Sequence, residues 1–213
     1  MSDSSTGTEL NLLVGSMFTT RADEDRALYE QEREWLSELQ DLLREEGIEA
    51  DLLSRPGVEI WEGSIEDFTE VHRLQLLAAY LEHGQDIAGL LSTDLDPYAE
   101  PDPLLEEIWN DERQTRYPHL IRHSPHSGYY LPVEFGEPLQ LVADEEAELE
   151  DDEEAIEDIS IGSSIALQRE LVDLEEQFKA AGISAKSAPY RALRALRDAA
   201  DQSVKVDLPI VLW

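Results

Sequence analysis

The 213-residue chain contains no cysteine, which excludes a disulfide framework, a thiolate zinc site and a cysteine nucleophile. Cations are scarce: 16 Lys and Arg stand against 49 Asp and Glu, for a formal net charge of -33 and a pI near 4.2. Lysine is scarcer still, at Lys179, Lys186 and Lys205 alone. Affinity for duplex DNA or RNA comes mainly from Lys and Arg replacing counterions along the phosphates, so this deficit argues against direct nucleic-acid binding. Anionic membrane surfaces are disfavoured for the same reason. Long hydrophobic runs are missing too. The stretch Leu10 to Phe18 is too short and too interrupted to span a bilayer, and no basic segment precedes it, so a cytoplasmic protein is expected.

Sequence motifs for the common chemistries are also absent. There is no G-x-x-x-x-G-K-[ST] or G-x-G-x-x-G to cradle a phosphate, no H-E-x-x-H and no G-x-S-x-G. No cofactor is expected, and a non-catalytic protein is favoured.

What the chain does have is charge in particular places. Residues 1–158 hold 42 of the acids and 9 of the cations, whereas residues 159–213 hold 7 of each. Within the acidic part, Asp144 to Asp158 contributes 11 acids and no cation. Three regions follow: an acidic helical and hairpin region over 1–143, an acidic loop or linker over 144–158, and a C-terminal helical pair and strand over 159–213 that packs on the same domain. Like charges in a block repel and stay solvated, so the run reads as a linker, or as a polyanionic arm facing a basic partner. Adaptation to a salty cytoplasm is the alternative origin of the acidity. The neutral C-terminal quarter counts against it, because such adaptation should acidify the whole surface.

The 41% hydrophobic fraction is enough for a real core. Thr20, with Asp23 three residues on, suits the start of a long helix carrying the apolar stripe Leu28, Trp35, Leu36, Leu39, Leu42 and Leu43. Its other face bears Glu30, Glu34, Glu38, Asp41 and Glu45. A strand-like Val58 to Trp61 precedes a second helix, capped at Ser64 and running from Ile65 to about His83. A third helix opens at Ser163 or Ser164 and closes at Gly182. A fourth runs from Tyr190 to Ala200, before a strand from Val204 to Leu212 broken by Pro209. Between these, His119 to His123 and Tyr129 to Phe135 flank a turn-rich segment and read as a β-hairpin. The expected class is α+β, mainly helical with four to five helices and a small antiparallel hairpin or sheet.

The hairpin carries the one constellation with metal-binding chemistry. His119 and His123 lie four apart on a presumed strand, His126 lies in the turn and Glu134 returns on the other arm. Imidazoles with a carboxylate suit zinc or ferrous iron, which makes a metal-dependent enzyme the competing function. On the fourth helix, Arg191, Arg194 and Arg197 form a stripe expected to pair with the acidic N-terminal helix or the acidic run.

Two short segments, His123-Ser124 with Gly128 to Phe135 and Ile161 to Ser164, resemble a family of uncharacterised bacterial proteins with the hairpin pattern H-S-x-x-x-G-Y-Y-L-P-V-[DE]-F. That family has no established activity, so the resemblance implies no catalytic residue. The leading expectation is an acidic interaction protein that binds a basic protein partner, such as a toxin-neutralising immunity protein or a nucleic-acid mimic. Its contacts would be Glu30, Glu34, Glu38, Asp41 and Glu45 together with Asp151, Asp152, Glu153 and Glu154.

Overall fold

The computed structural model describes residues 9–92, 101–124, 128–141 and 159–213. Among these, the elements in chain order are β1 (Leu10–Gly15), α1 (Arg26–Glu45), β2 (Glu59–Ile65), α2 (Phe68–Glu82), α3 (Ala88–Ser92), α4 (Pro103–Trp109), α5 (Pro118–Ile121), β3 (Gly128–Leu131), β4 (Leu139–Leu141), β5 (Ile159–Ser163), α6 (Ser164–Ala180), α7 (Ala188–Val206) and β6 (Ile210–Leu212). The strands form one mixed six-stranded sheet in the order β2-β1-β6-β3-β5-β4. β3 and β5 are parallel, and the other neighbours are antiparallel.

The class is α+β, but the small hairpin expected from the sequence is corrected to a sheet that runs through the molecule, with seven helices among the described residues. The hairpin fails at its first arm. Pro118 fixes a helical φ at the first position of α5, and the freed N–H groups of His119 and Leu120 are captured by the Glu170 carboxylate, so this segment turns instead of extending. The second arm becomes β3, a strand between β6 and β5 that ends just before Pro132, which has no N–H to give a ladder.

Alternation along the strands sorts their side chains onto two faces. Leu10, Leu12 and Val14 of β1, Tyr130 of β3, and Ile210 and Leu212 of β6 join a cluster with α2, α4, α5, α6 and α7. Leu131 of β3 and Ile161 of β5 face the other way, with Tyr129 and Val211 beside them, onto Leu36, Leu39 and Leu43 of α1. Helices from both halves of the chain therefore cover one face, while α1 is the helix on the other.

The helix boundaries follow their caps. α1 starts at Asp25, whose side chain accepts from the N–H groups of Ala27 and Leu28, five residues later than the Thr20 start. Asp67, not Ser64, caps α2, because residues 59–65 are committed to pairing with β1. Ser163 caps α6 by accepting from Ala166 N. α7 extends to Val206, so Val204 to Val206 belong to the helix, which stops where Asp207 adopts a left-handed backbone.

Candidate functional site: the carboxylate stripe of α1

The spacing i, i+4, i+8, i+11, i+15 places Glu30, Glu34, Glu38, Asp41 and Glu45 within one stripe of a 3.6-residue helix. All five are exposed, and the buried row Leu36, Leu39 and Leu43 anchors the opposite side. Leu28 and Leu42, expected in the apolar stripe, are exposed at 45% and 50%. The buried row is thus narrower than the sequence suggests, and the solvent face wider. Glu30 is paired with Arg33 at 3.7 Å and Asp41 with Arg44, both pairs along the helix. Glu34, Glu38 and Glu45 have no ion pair among the described residues.

One further acid of α1 does different work. Glu32 accepts from Thr19 Oγ1 at 2.7 Å and from Thr20 N at 2.9 Å, tying the preceding loop to the helix. Partial burial pushes its pKa up, but these hydrogen bonds outweigh burial and hold it below the ordinary glutamate value. The stripe is therefore five carboxylates beside one structural carboxylate. With a rise of about 1.5 Å per residue, the five span about 22 Å. A single DNA strand presents six to seven phosphates over about the same axial length, at one per ~3.4 Å. Two of the five are ion-paired among the described residues, so the stripe holds three uncompensated charges over that length, about half the strand's density.

The remaining sequence-selected residues fall elsewhere. Asp151, Asp152, Glu153 and Glu154, with the rest of the acidic run, lie outside the described residues, as does His126. His119 and His123 are buried, at 0% and 2% exposure. His119 Nδ1 accepts from Ser163 N at 3.0 Å, so Nε2 carries the proton and donates to Phe135 O at 3.0 Å. Its lone pair is thus used within the fold. His123 sets its nitrogens 2.8 Å from Ser124 O and 3.2 Å from Tyr129 O, and burial pushes its pKa down to about 4. Glu134 is paired with Arg169. Among the described residues there is no group of three or more His, Asp or Glu side chains that could hold a metal, so the geometry lends the metal-dependent reading no support.

These histidines instead organise the core. The His123 ring stacks on Tyr130 at 4.0 Å. Gly162 leaves room for both rings, since a Cβ there would come within 2.5 Å of Tyr130 and 3.0 Å of His123. The two short motifs singled out in the sequence thus meet at one packed junction of β3, β5 and α6.

Sequence spacing missed Glu170, which is 7% exposed and caps α5 from α6. Burial pushes its pKa up to about 8, against the pull of the two N–H donors. No local pattern marks it, because its partners lie about fifty residues away.

A sequence model of the family described as "Putative DNA-mimic protein" matches residues 8–212. The chain belongs to that family. No curated protein and no solved structure matches the chain. Membership corrects the partner expected from composition. Charge suggested a basic protein partner, met by an immunity protein or a nucleic-acid mimic, whereas the family's description speaks of imitating DNA and names neither a basic partner nor toxin neutralisation. Concerning membranes, no described helix is long and apolar enough to cross one.

Proposed function

We propose that this chain is a non-catalytic DNA mimic whose α1 stripe lies against the DNA-contacting surface of a DNA-binding protein and competes there with duplex. The observation that carries this reading is the stripe itself: Glu30, Glu34, Glu38, Asp41 and Glu45 exposed in register along one helix, three of them without an ion pair among the described residues. A helix packed on a sheet holds its anions in place before the partner arrives, which lowers the ordering cost of association. Matched potentials then steer encounter and make it salt-dependent. In this reading the eleven acids of residues 144–158, Asp151 to Glu154 included, add to the anionic field.

The test is competition. A protein retained by the immobilised chain at low salt should be released by added duplex DNA, and free chain should dissociate that protein from a labelled duplex. Glu30→Gln, Glu34→Gln, Glu38→Gln, Asp41→Asn and Glu45→Gln combined should weaken the competition by about tenfold or more. Retention indifferent to duplex DNA, or a five-site variant that competes as well as the parent, overturns the proposal.

A further inference from the structure

A second acidic feature lies away from α1, where α2, α4, residues 122–124 after α5, and β4 meet. A cavity of about 590 Å³ opens there, with Gln75, Trp109, Asp111, Arg122, Glu137 and Gln140 among its walls. Gln75 is 1% exposed. Its Nε2 donates to Leu120 O at 2.9 Å and His123 O at 3.3 Å, which fixes the amide orientation. Its Oε1 has no hydrogen-bond partner among the described residues. A buried carbonyl oxygen without a donor costs on the order of 1–3 kcal/mol, so a group that supplies one is favoured.

The surrounding charges select the kind of donor. Asp111 and Glu137 both reach Arg122 Nη1, at 2.5 and 3.2 Å, so two carboxylates share one guanidinium and the lining keeps a net negative charge. Trp109 is 41% exposed and anchored by Nε1 donating to Ile121 O at 2.8 Å, which leaves an aromatic wall at the mouth. Acceptors without enough donors, surplus carboxylate and an aromatic wall together describe a receptor for a cation with several N–H groups. A guanidinium fits better than an ammonium, because its planar fork reaches separately placed acceptors and stacks on a ring. Arg122 Nε also lacks a partner among the described residues, and the peptide carbonyls flanking a protein-borne arginine supply that acceptor.

We propose that this cavity receives an arginine side chain of the DNA-binding partner. The proposal rests on the DNA-mimic reading for the owner of the arginine, but not for the chemistry of the cavity. On DNA, arginine is the residue that most often reads a base edge, through paired acceptors. The cavity presents acceptors of that kind, while α1 presents the phosphate-like row.

The probe is Nα-acetyl-arginine methylamide, titrated into the whole chain while the Trp109 indole N–H is followed by NMR, with the lysine and citrulline analogues as controls. The arginine probe should shift that resonance saturably and bind about fivefold or more tightly than either control. Asp111→Asn with Glu137→Gln should lose that preference, and the five-site α1 variant should keep it. Absence of a saturable shift, equal binding by the uncharged citrulline analogue, or an unchanged preference in the Asp111 and Glu137 variant overturns the proposal. Because no partner protein enters this titration, its failure leaves the α1 competition untouched. Arginine-selective binding without such competition keeps the cavity's chemistry and removes only the assignment of its owner.

Discussion

α1 and α7 are helices of 20 and 19 residues, each with one buried face, yet they dispose of charge in opposite ways. α7 lies among α2, α6 and β2, and two of its arginines reach across to other elements. Arg191 meets Glu66 and Glu70, Arg197 meets Glu175, and Arg194 sits 4.8 Å over the Tyr190 ring. The sequence pointed these arginines at the N-terminal helix or the acidic run. Among the described residues, Arg191 and Arg197 instead pair with the acids of α2 and α6 and of the turn before α2, and Arg194 lies over a ring of its own helix. On α1 the ion pairs are local, Arg33 with Glu30 and Arg44 with Asp41. The neutral C-terminal quarter is thus not a separate neutral body, because its cations offset acids around the helix layer. On α1, by contrast, Glu34, Glu38 and Glu45 have no ion pair among the described residues.

The comparison predicts that carboxylates on the two sides of the sheet answer differently to the same change. The largest effect is expected at Glu170, on the helix-rich side. Glu170→Ala leaves the N–H groups of His119 and Leu120 without acceptors and should cost about 2–4 kcal/mol, read as a shift in denaturant midpoint at unchanged m. A loss below about 0.5 kcal/mol would mean that water replaces the carboxylate and that α5 needs no cap.

A somewhat smaller effect comes from pH. The folded pKa of Glu170 is raised to about 8 from the ordinary 4.5, so its stabilising contribution is complete below pH 4.5 and is lost as pH rises through 8. His123 works in the other direction. Its pKa is lowered to about 4, so its contribution is complete above about 6.5 and is lost as pH falls through 4. Stability should therefore decline as pH rises from about 6.5 to 8, change little between about 4.5 and 6.5, where the two groups oppose each other, and decline again as pH falls from 4.5 to 4. Glu170→Gln should remove the alkaline decline while keeping the acid one. Denaturant midpoints across pH measure both, and an alkaline decline that survives Glu170→Gln would assign it to other groups.

Much of this was legible in the sequence, for reasons that also explain the gaps. The α1 stripe could be read because helical periodicity and local charge are properties of neighbouring residues, and all five acids expected on its outer face are exposed there. α6 was equally readable, from Ser163 as its cap to Gly182 at φ 71° beyond its end. The six-stranded sheet was not, since β3 finds partners in β5 and β6, about 30 and 80 residues away, and its short strand carries no alternation long enough to announce them. Spacing the histidines as on a strand misplaced His119, because the helical turn at Pro118 depends on Glu170. Where an element is held by its own residues the sequence speaks clearly, and where it is held by a distant carboxylate it does not.

The smallest stability effect is expected on α1, and it sharpens the comparison most. Replacing Glu30, Glu34, Glu38, Asp41 and Glu45 by their amides removes five charges, three of them without an ion pair among the described residues. Exposed pairs contribute about 0–1 kcal/mol, and like charges at i, i+4 oppose a helix by about 0.2–0.5 kcal/mol each, so the changes nearly cancel. The midpoint of the five-site variant should stay within about 1 kcal/mol of the parent and move upward at low salt, where repulsion is least screened. A marked loss of stability would show that the stripe serves the fold of α1. An unchanged or raised stability leaves five exposed carboxylates in register that the fold does not need, and their cost in mutual repulsion is then accounted for by what they meet in solution.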